Sequence, residues 1–268
     1  MGAWRIDVVT TRIGRRDLAL GATAFGAVAL ISPRNLCAQI KASIPTSLLA
    51  GDGFASGVQN GIFVHGPREG TELALSFDAC PTSGLPSFAE SLVDYLERER
   101  VPATFFVSGL WAEANQEPFR RLMQSPFFEI GLHGHRHPRL IGAPAETIAA
   151  EIEDGRAALV RLGANPVPLF RPPYLDLPPG LPEIAQQKGI LTIAGDAGLG
   201  DSDPKRGAAA LERDAIRWVQ AGSIILMHVN GRGYGTAETV RDLVPAYKKR
   251  GYSFVTVGEL VRRSARKS

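Results

Sequence analysis

From residue 72 onward, short apolar runs alternate with longer amphipathic ones. Residues 73–77 form a continuous buried-strand run, and residues 87–98 repeat apolar side chains at helical spacing through Phe88, Leu92, Tyr95 and Leu96. The same reading makes 103–107 a strand, 111–123 a helix, 127–132 a strand and 144–162 the longest helix, with Pro144 in its first turn. Further strands are expected at 169–170, 190–194, 223–227 and 253–257. Helices at 181–188, 208–220 and 236–250 separate them, and a short basic helix ends the chain. Residues 39–70, rich in Gly, Ser and Pro with weak periodicity, read as a linker and lead-in strand.

Strand and helix alternating about seven times with short connections predict a parallel sheet. An open doubly wound sheet and a closed barrel share that pattern. No Gly-x-Gly-x-x-Gly follows the first strand, so the dinucleotide-binding version loses its main support. At 268 residues the chain has room for one α/β-barrel domain or two small ones, and length alone does not choose.

The first segment changes how the charge is read. Arg15-Arg16 precedes an uncharged stretch from Leu18 to Ile31, then Pro33 and small residues ending near Ala38. A basic region, an apolar run too short to span a bilayer and a small-residue exit make residues 1–38 a secretory signal, and the paired arginines resemble the twin-arginine type. The expected product is exported, with no stable membrane span after cleavage; an uncleaved anchor is the alternative. Of 30 Lys+Arg and 27 Asp+Glu, the first 38 residues hold five Arg and two Asp, so the remainder is neutral, with 25 of each sign. A neutral body with no basic cluster beyond the last few residues gives no support for nucleic-acid binding. Cys37 leaves with the signal, which leaves Cys80 alone and rules out an internal disulfide.

Reactive side chains fall where the predicted strands end. Asp78 follows the first strand, His133, His135 and His137 follow the strand at 127–132, Arg171 follows 169–170, Asp196 follows 190–194 and His228 follows 223–227. Barrel enzymes place their chemistry at those ends. The His133-Gly-His-Arg-His137 cluster is the sharpest metal signal. An extended segment would put all three histidines on one side, whereas a turn brings 133 and 137 together. Neutral imidazoles suit zinc and similar divalent ions, and two or three protein ligands plus water make an open catalytic site.

Four strings then carry a resemblance: Ser-Phe-Asp78, His133-x-x-x-His137-Pro, Arg171-Pro-Pro-Tyr174 and Leu226-Met-His228. In that order they resemble the NodB-homology polysaccharide deacetylases, carbohydrate esterase family 4, over residues 72–257. The resemblance implies an irregular (β/α)7-type barrel over residues 71–264 and hydrolysis of N-acetyl or O-acetyl groups on a glycan outside the cytoplasm. It implies that Asp78 is the general base, that His133 and His137 ligate a divalent metal, most often zinc, and that Arg171 orients Asp78. Pro173 and Tyr174 would line the groove, the Tyr174 N–H helping to bind the oxyanion. Leu226 would shape the acetyl pocket, and His228 would be the general acid. An acidic partner for His228 or Arg171 is expected from the 196–203 stretch, Asp196 or Asp201, with Asp196 placed in the catalytic set.

The chain departs from the family's usual pattern at Leu132 and Arg136, which flank the two histidines, and most informatively in the first motif, where Phe-Asp-Ala-Cys resembles a subgroup of the family. The usual second Asp of the first motif, a metal ligand, is Ala79 here, followed by Cys80. His135 or Cys80 would fill the vacated position, or Ala79 and Cys80 merely pack. Two rival functions follow: a catalytically silent carbohydrate-binding relative, motivated by Ala79, and a metal-free hydrolase of a small cyclic amide. Residues 231–238 read either as a substrate-contacting loop or as a glycine turn that caps the next helix. Trp111 and Tyr234 would either stack on sugar rings or pack.

Overall fold

A computed structural model describes residues 57–84 and 87–266. The expected export segment, residues 1–38, lies outside the described residues, as does much of the 39–70 lead-in. Among the described residues no helix is long and apolar enough to cross a membrane.

The elements follow the sequence pattern closely. They run β1 (Val58–Gln59), β2 (Ile62–Phe63), β3 (Glu72–Ala79), α1 (Glu90–Arg98), β4 (Ala103–Val107), α2 (Gly109–Ala114), α3 (Gln116–Gln124) and β5 (Phe128–Leu132). Then come α4 (Ala145–Arg161), β6 (Leu169–Phe170), a 3-10 turn (Pro173–Leu175), α5 (Leu181–Gln187), β7 (Leu191–Ile193) and β8 (Ala197–Gly198). The chain continues through α6 (Ala208–Trp218), β9 (Ile224–His228), α7 (Thr236–Lys249), β10 (Ser253–Val255) and α8 (Val257–Arg266).

Two differences have local causes. The single helix expected at 111–123 is two, broken at Asn115, whose φ of −129° and ψ of 52° leave the helical region. Pro118 stands four residues after Ala114, so its ring would strike that carbonyl in a continuous helix. Pro144 sits at the N-cap rather than in the first turn of α4, its ψ of 151° still extended.

The strands order as β1-β2-β7-β6-β5-β4-β3-β9-β8, with β10 beside the start of β3. The β1–β2 hairpin is antiparallel and every other pairing parallel, as βαβ crossovers require. The sheet curls into an open, irregular barrel. Alternation along β3 sorts its side chains: Leu73, Leu75, Phe77 and Ala79 join the core under the helices, while Ala74 belongs to the smaller core inside the curl. Ser76 and Asp78 alternate with the first set and share the inner face with Ala74. The polar strand ends therefore converge at one rim.

Candidate active site

Asp78 and His228 end neighbouring strands and are direct register partners, Asp78 on β3 and His228 on β9. Arg171, directly after β6, is fully buried; its Nη1 donates to Asp78 Oδ1 at 2.8 Å and its Nη2 to Ser76 Oγ at 2.9 Å. The Ser76 hydroxyl in turn donates a hydrogen bond to the Ile225 carbonyl at 2.9 Å, so its oxygen is oriented towards Arg171. The Arg171 guanidinium also lies over the Phe106 ring, 4.1 Å from its centroid. Burial works against ionisation of Asp78, but Arg171, with His133 and His228, holds its carboxyl below the ordinary carboxylate value.

The histidine loop is a turn, and the turn chooses among the three rings. Gly134 takes φ +73°, and a side chain there would come within 2.7 Å of Glu151 Oε2. His137 is left-handed at φ 64°, a conformation that costs a non-glycine residue about 1–3 kcal/mol. The result places His133 Nε2 and His137 Nε2 3.2 Å apart. His135 is turned away from this group: its buried Nδ1 has no hydrogen-bond partner, and the ring lies against Gly109.

What holds the turn is Glu151, a buried acid on α4 that sequence pattern alone passes over. Its carboxylate accepts from the backbone N–H groups of His135 at 2.8 Å, Arg136 at 3.0 Å and His137 at 3.3 Å. Gly155, one turn on, lets α4 approach; a Cβ there would come within 2.5 Å of the Gly134 carbonyl oxygen. Glu at i and Gly at i+4 facing a His-rich loop is the signal that could have found this support.

Three donor atoms here could hold an ion. His133 Nδ1–H donates to the Arg171 carbonyl at 2.7 Å, which leaves the Nε2 lone pair facing the site. Cys80 Sγ lies 3.5 Å from that Nε2, and the donor atoms of Cys80, His133 and His137 all fall within 4.8 Å of one another. Ala79 packs in the helix-side core while Cys80 points into the site, so the two residues part company. Burial disfavours the Cys80 thiolate, yet the charge of His133 and hydrogen bonds to His133, His137 and His228 hold the thiol well below its ordinary range. His133 is pushed up, burial opposing and Asp78 and Cys80 prevailing.

Of the two acidic partners expected for His228, Asp201 is the one beside it. Its Nδ1 bonds Asp201 Oδ1 at 2.9 Å, and its backbone N–H donates to Asp201 Oδ2 at 2.7 Å. Thr236, at the start of α7, donates its hydroxyl to the same Oδ2 at 2.6 Å. Burial favours neutral His228, but Asp201 outweighs it and raises His228 well above the ordinary histidine value. Asp196, expected in the catalytic set, stands apart from this group. It accepts from Arg68 at 2.6 Å, Ser223 Oγ at 3.0 Å and the Ile224 N–H at 2.9 Å, which ties it to the beginning of β9. Strand β8 explains the shift: Ala197 pairs with Ile225 and Gly198 with Leu226, so the chain runs up beside β9 and delivers Asp201 to the top.

Tyr174 follows buried Pro173 in the 3-10 turn, left-handed at φ 57° and 43% exposed, with its ring edge-on to His137 at 4.5 Å. Arg139 lies over the Tyr174 ring at 3.9 Å, and buried Asp176 joins the two loops by accepting from Arg139 Nη1 at 3.0 Å and the Leu140 N–H at 2.9 Å. Leu226 is two residues before His228 and almost buried. Trp111 packs: it is 1% exposed and donates to the Ser87 carbonyl. Within residues 231–238, Gly235 takes φ 77° at the N-cap of α7.

The family profile for polysaccharide deacetylase matches residues 65–193. A chitooligosaccharide deacetylase of Sinorhizobium fredii is 30% identical over 174 residues, covering 60% of this chain and 75% of the relative. The chain belongs to the polysaccharide deacetylase family. A peptidoglycan-N-acetylglucosamine deacetylase of Bacillus cereus is 26% identical over 201 residues, 73% of this chain and 91% of that one. Among solved structures, a carbohydrate esterase family 4 pseudoenzyme from Bacillus anthracis superposes with a TM-score of 0.67 at 21% identity, covering 78% of this chain and 70% of its own; that likeness speaks to the fold alone. In this polysaccharide deacetylase, Ala79-Cys80 puts a thiol beside the two histidines.

Proposed function

We propose that this chain is an exported, metal-dependent hydrolase that removes acetyl groups from an N-acetylated glycan. The observation that carries the reading is the facing pair: Asp78, held ionised by Arg171, and His228, held protonated by Asp201, on in-register strand ends beside His133 and His137. Amide hydrolysis needs an activated water, charge stabilisation on the carbonyl oxygen and an acid for a poor amine leaving group.

The residues present fit a divalent ion, since the His133 tautomer aims a lone pair at His137 and Cys80. When bound by His133 and His137, such an ion would supply Lewis-acid polarisation and a more acidic water. The chain's own groups supply the rest. Asp78 takes the proton from the attacking water, and Arg171 fixes which carboxylate oxygen is free to do so. The Tyr174 N–H is assigned to the developing oxyanion, next to Leu226 and Pro173, which enclose the acetyl methyl. His228 gives its proton to the departing nitrogen, and Asp201 stabilises the imidazolium until then. Residues 1–38 serve export and are removed, leaving a deacetylase domain over 71–264. The curated relatives named for peptidoglycan and chitooligosaccharide support a polymeric N-acetylglucosamine substrate.

The test is acetate release from N-acetylglucosamine oligomers by purified protein, after chelation and again with added zinc or cobalt, beside Asp78→Asn. Release restored by metal and abolished in the variant is the expected result. No release under any metal would sink the reading. Glycan affinity without turnover would then favour the silent binding relative that Ala79 motivates.

A further inference from the structure

We propose that Cys80 completes the metal site as a thiolate, in the place that a carboxylate takes in the family's usual first motif; the proposal rests on the reading that this site holds a divalent ion. Donor spacing is the first argument. A tetrahedral ion with bonds of about 2.0–2.1 Å to nitrogen and about 2.3 Å to sulfur has N–N edges of about 3.3–3.4 Å and N–S edges of about 3.6 Å. The structure shows 3.2 Å between His133 Nε2 and His137 Nε2, and 3.5 Å between His133 Nε2 and Cys80 Sγ. Two of the polyhedron's edges are already at bonding separation.

The second argument is that these donors are held in place from behind. The Arg171 carbonyl fixes His133, Glu151 fixes the His137 backbone, and the Asn230 amide donates to the Cys80 carbonyl at 2.8 Å. Supports of this kind orient ligands and set their affinity. A cysteine that only packed would have no need of two imidazoles facing its sulfur. Position matters too: Cys80 lies one residue beyond the end of β3, two past Asp78, which brings sulfur and carboxylate to the same rim.

The substitution conserves charge and changes softness. One thiolate and two imidazoles favour zinc or cobalt and discriminate against magnesium, calcium and manganese, which prefer oxygen ligands. Three protein ligands leave a fourth position for water. Asp78 Oδ2 stands 3.8 Å from His133 Nε2, so the carboxylate borders the donor group.

Titration of the metal-free full-length protein, carrying Cys37→Ser so that Cys80 is its one thiol, with cobalt(II), read by absorbance, decides the matter. The expected spectrum has visible bands of tetrahedral intensity together with a near-ultraviolet thiolate-to-cobalt charge-transfer band, saturating together. Cys80→Ser should keep the visible bands, lose the near-ultraviolet band and bind zinc at least about ten-fold more weakly, the lower end of what disturbing a ligand's supports alone causes. His137→Ala should lose both sets of bands. Visible bands without charge transfer in the unaltered protein would overturn the cysteine assignment and leave the metal reading standing. No binding of cobalt or zinc at all would overturn both. Because the unaltered spectrum is decisive, a Cys80→Ser protein that failed to fold would not shelter the proposal.

Discussion

Replacing Glu151 by alanine removes one side chain, yet three backbone N–H groups lose their acceptor at once. A hydrogen bond to a charged group contributes about 1.5–3 kcal/mol. The contacts at 2.8 and 3.0 Å should count fully and the one at 3.3 Å less. Water can reach His135 and Arg136, which are only partly buried or exposed, and will recover part of the loss. The balance is about 3 kcal/mol of stability, which in a domain of this size lowers the melting temperature by roughly 6–12 °C. The left-handed backbone at His137 would also relax, so zinc affinity should fall by about 10–100-fold, the usual range when a ligand's support is removed. Glu153→Ala is the control, because its exposed carboxylate pairs only with Lys188 and such pairs contribute about 0–1 kcal/mol. Both variants would be compared by thermal melting and by competition for zinc with a chromogenic chelator. If Glu151→Ala melted with Glu153→Ala and bound zinc as tightly, the carboxylate would not be what holds the histidine turn.

Arg171→Met should destabilise the protein by about 3–5 kcal/mol, since it strands a buried carboxylate at Asp78, and urea unfolding will show whether it does. Asp78 is held below its ordinary value, so its contribution is present above the unfolded carboxylate pKa of about 3.9 and is lost as pH falls through the lower folded value. Acid unfolding of the unaltered protein should therefore steepen below about pH 4, and Arg171→Met should lose that component. His228 has the opposite sign. Raised by Asp201, it contributes stability fully below about pH 6.5 and loses it as pH rises through the folded value. Asp201→Asn should remove that alkaline decline and move the alkaline limb of kcat/KM down towards neutrality; an unmoved limb would refute His228 as the acid. Zinc at 100 times its dissociation constant should stabilise the protein by about 2.7 kcal/mol, and a chelator should reverse the shift in Tm.

Much of this protein is legible in its order of residues. Period-two and period-3.6 hydrophobic patterns are local, so the strands at 103–107 and 169–170 and the start of the helix at 208 need nothing beyond neighbouring residues. The same holds for the placement of Asp78, His133, Arg171 and His228 at strand ends, because a parallel βα repeat sends all such ends to one rim. Partnership across space is another matter. Asp196 and Asp201 are equally plausible on the page, and only the pairing of β8 with β9 sends one to the beginning of the strand and the other to its end. His135 has the same chemistry as its neighbours, but a glycine turn and a carboxylate from α4 decide that His137, not His135, meets His133. Cys80 and Ala79 are adjacent letters, yet strand alternation buries one methyl under the helices and turns the sulfur to the histidines. Local hydrophobic rhythm sets the elements; which polar atoms face each other depends mostly on residues far apart in sequence, 53 positions for Cys80 and His133 and 93 for Asp78 and Arg171, and those only the packed barrel brings together.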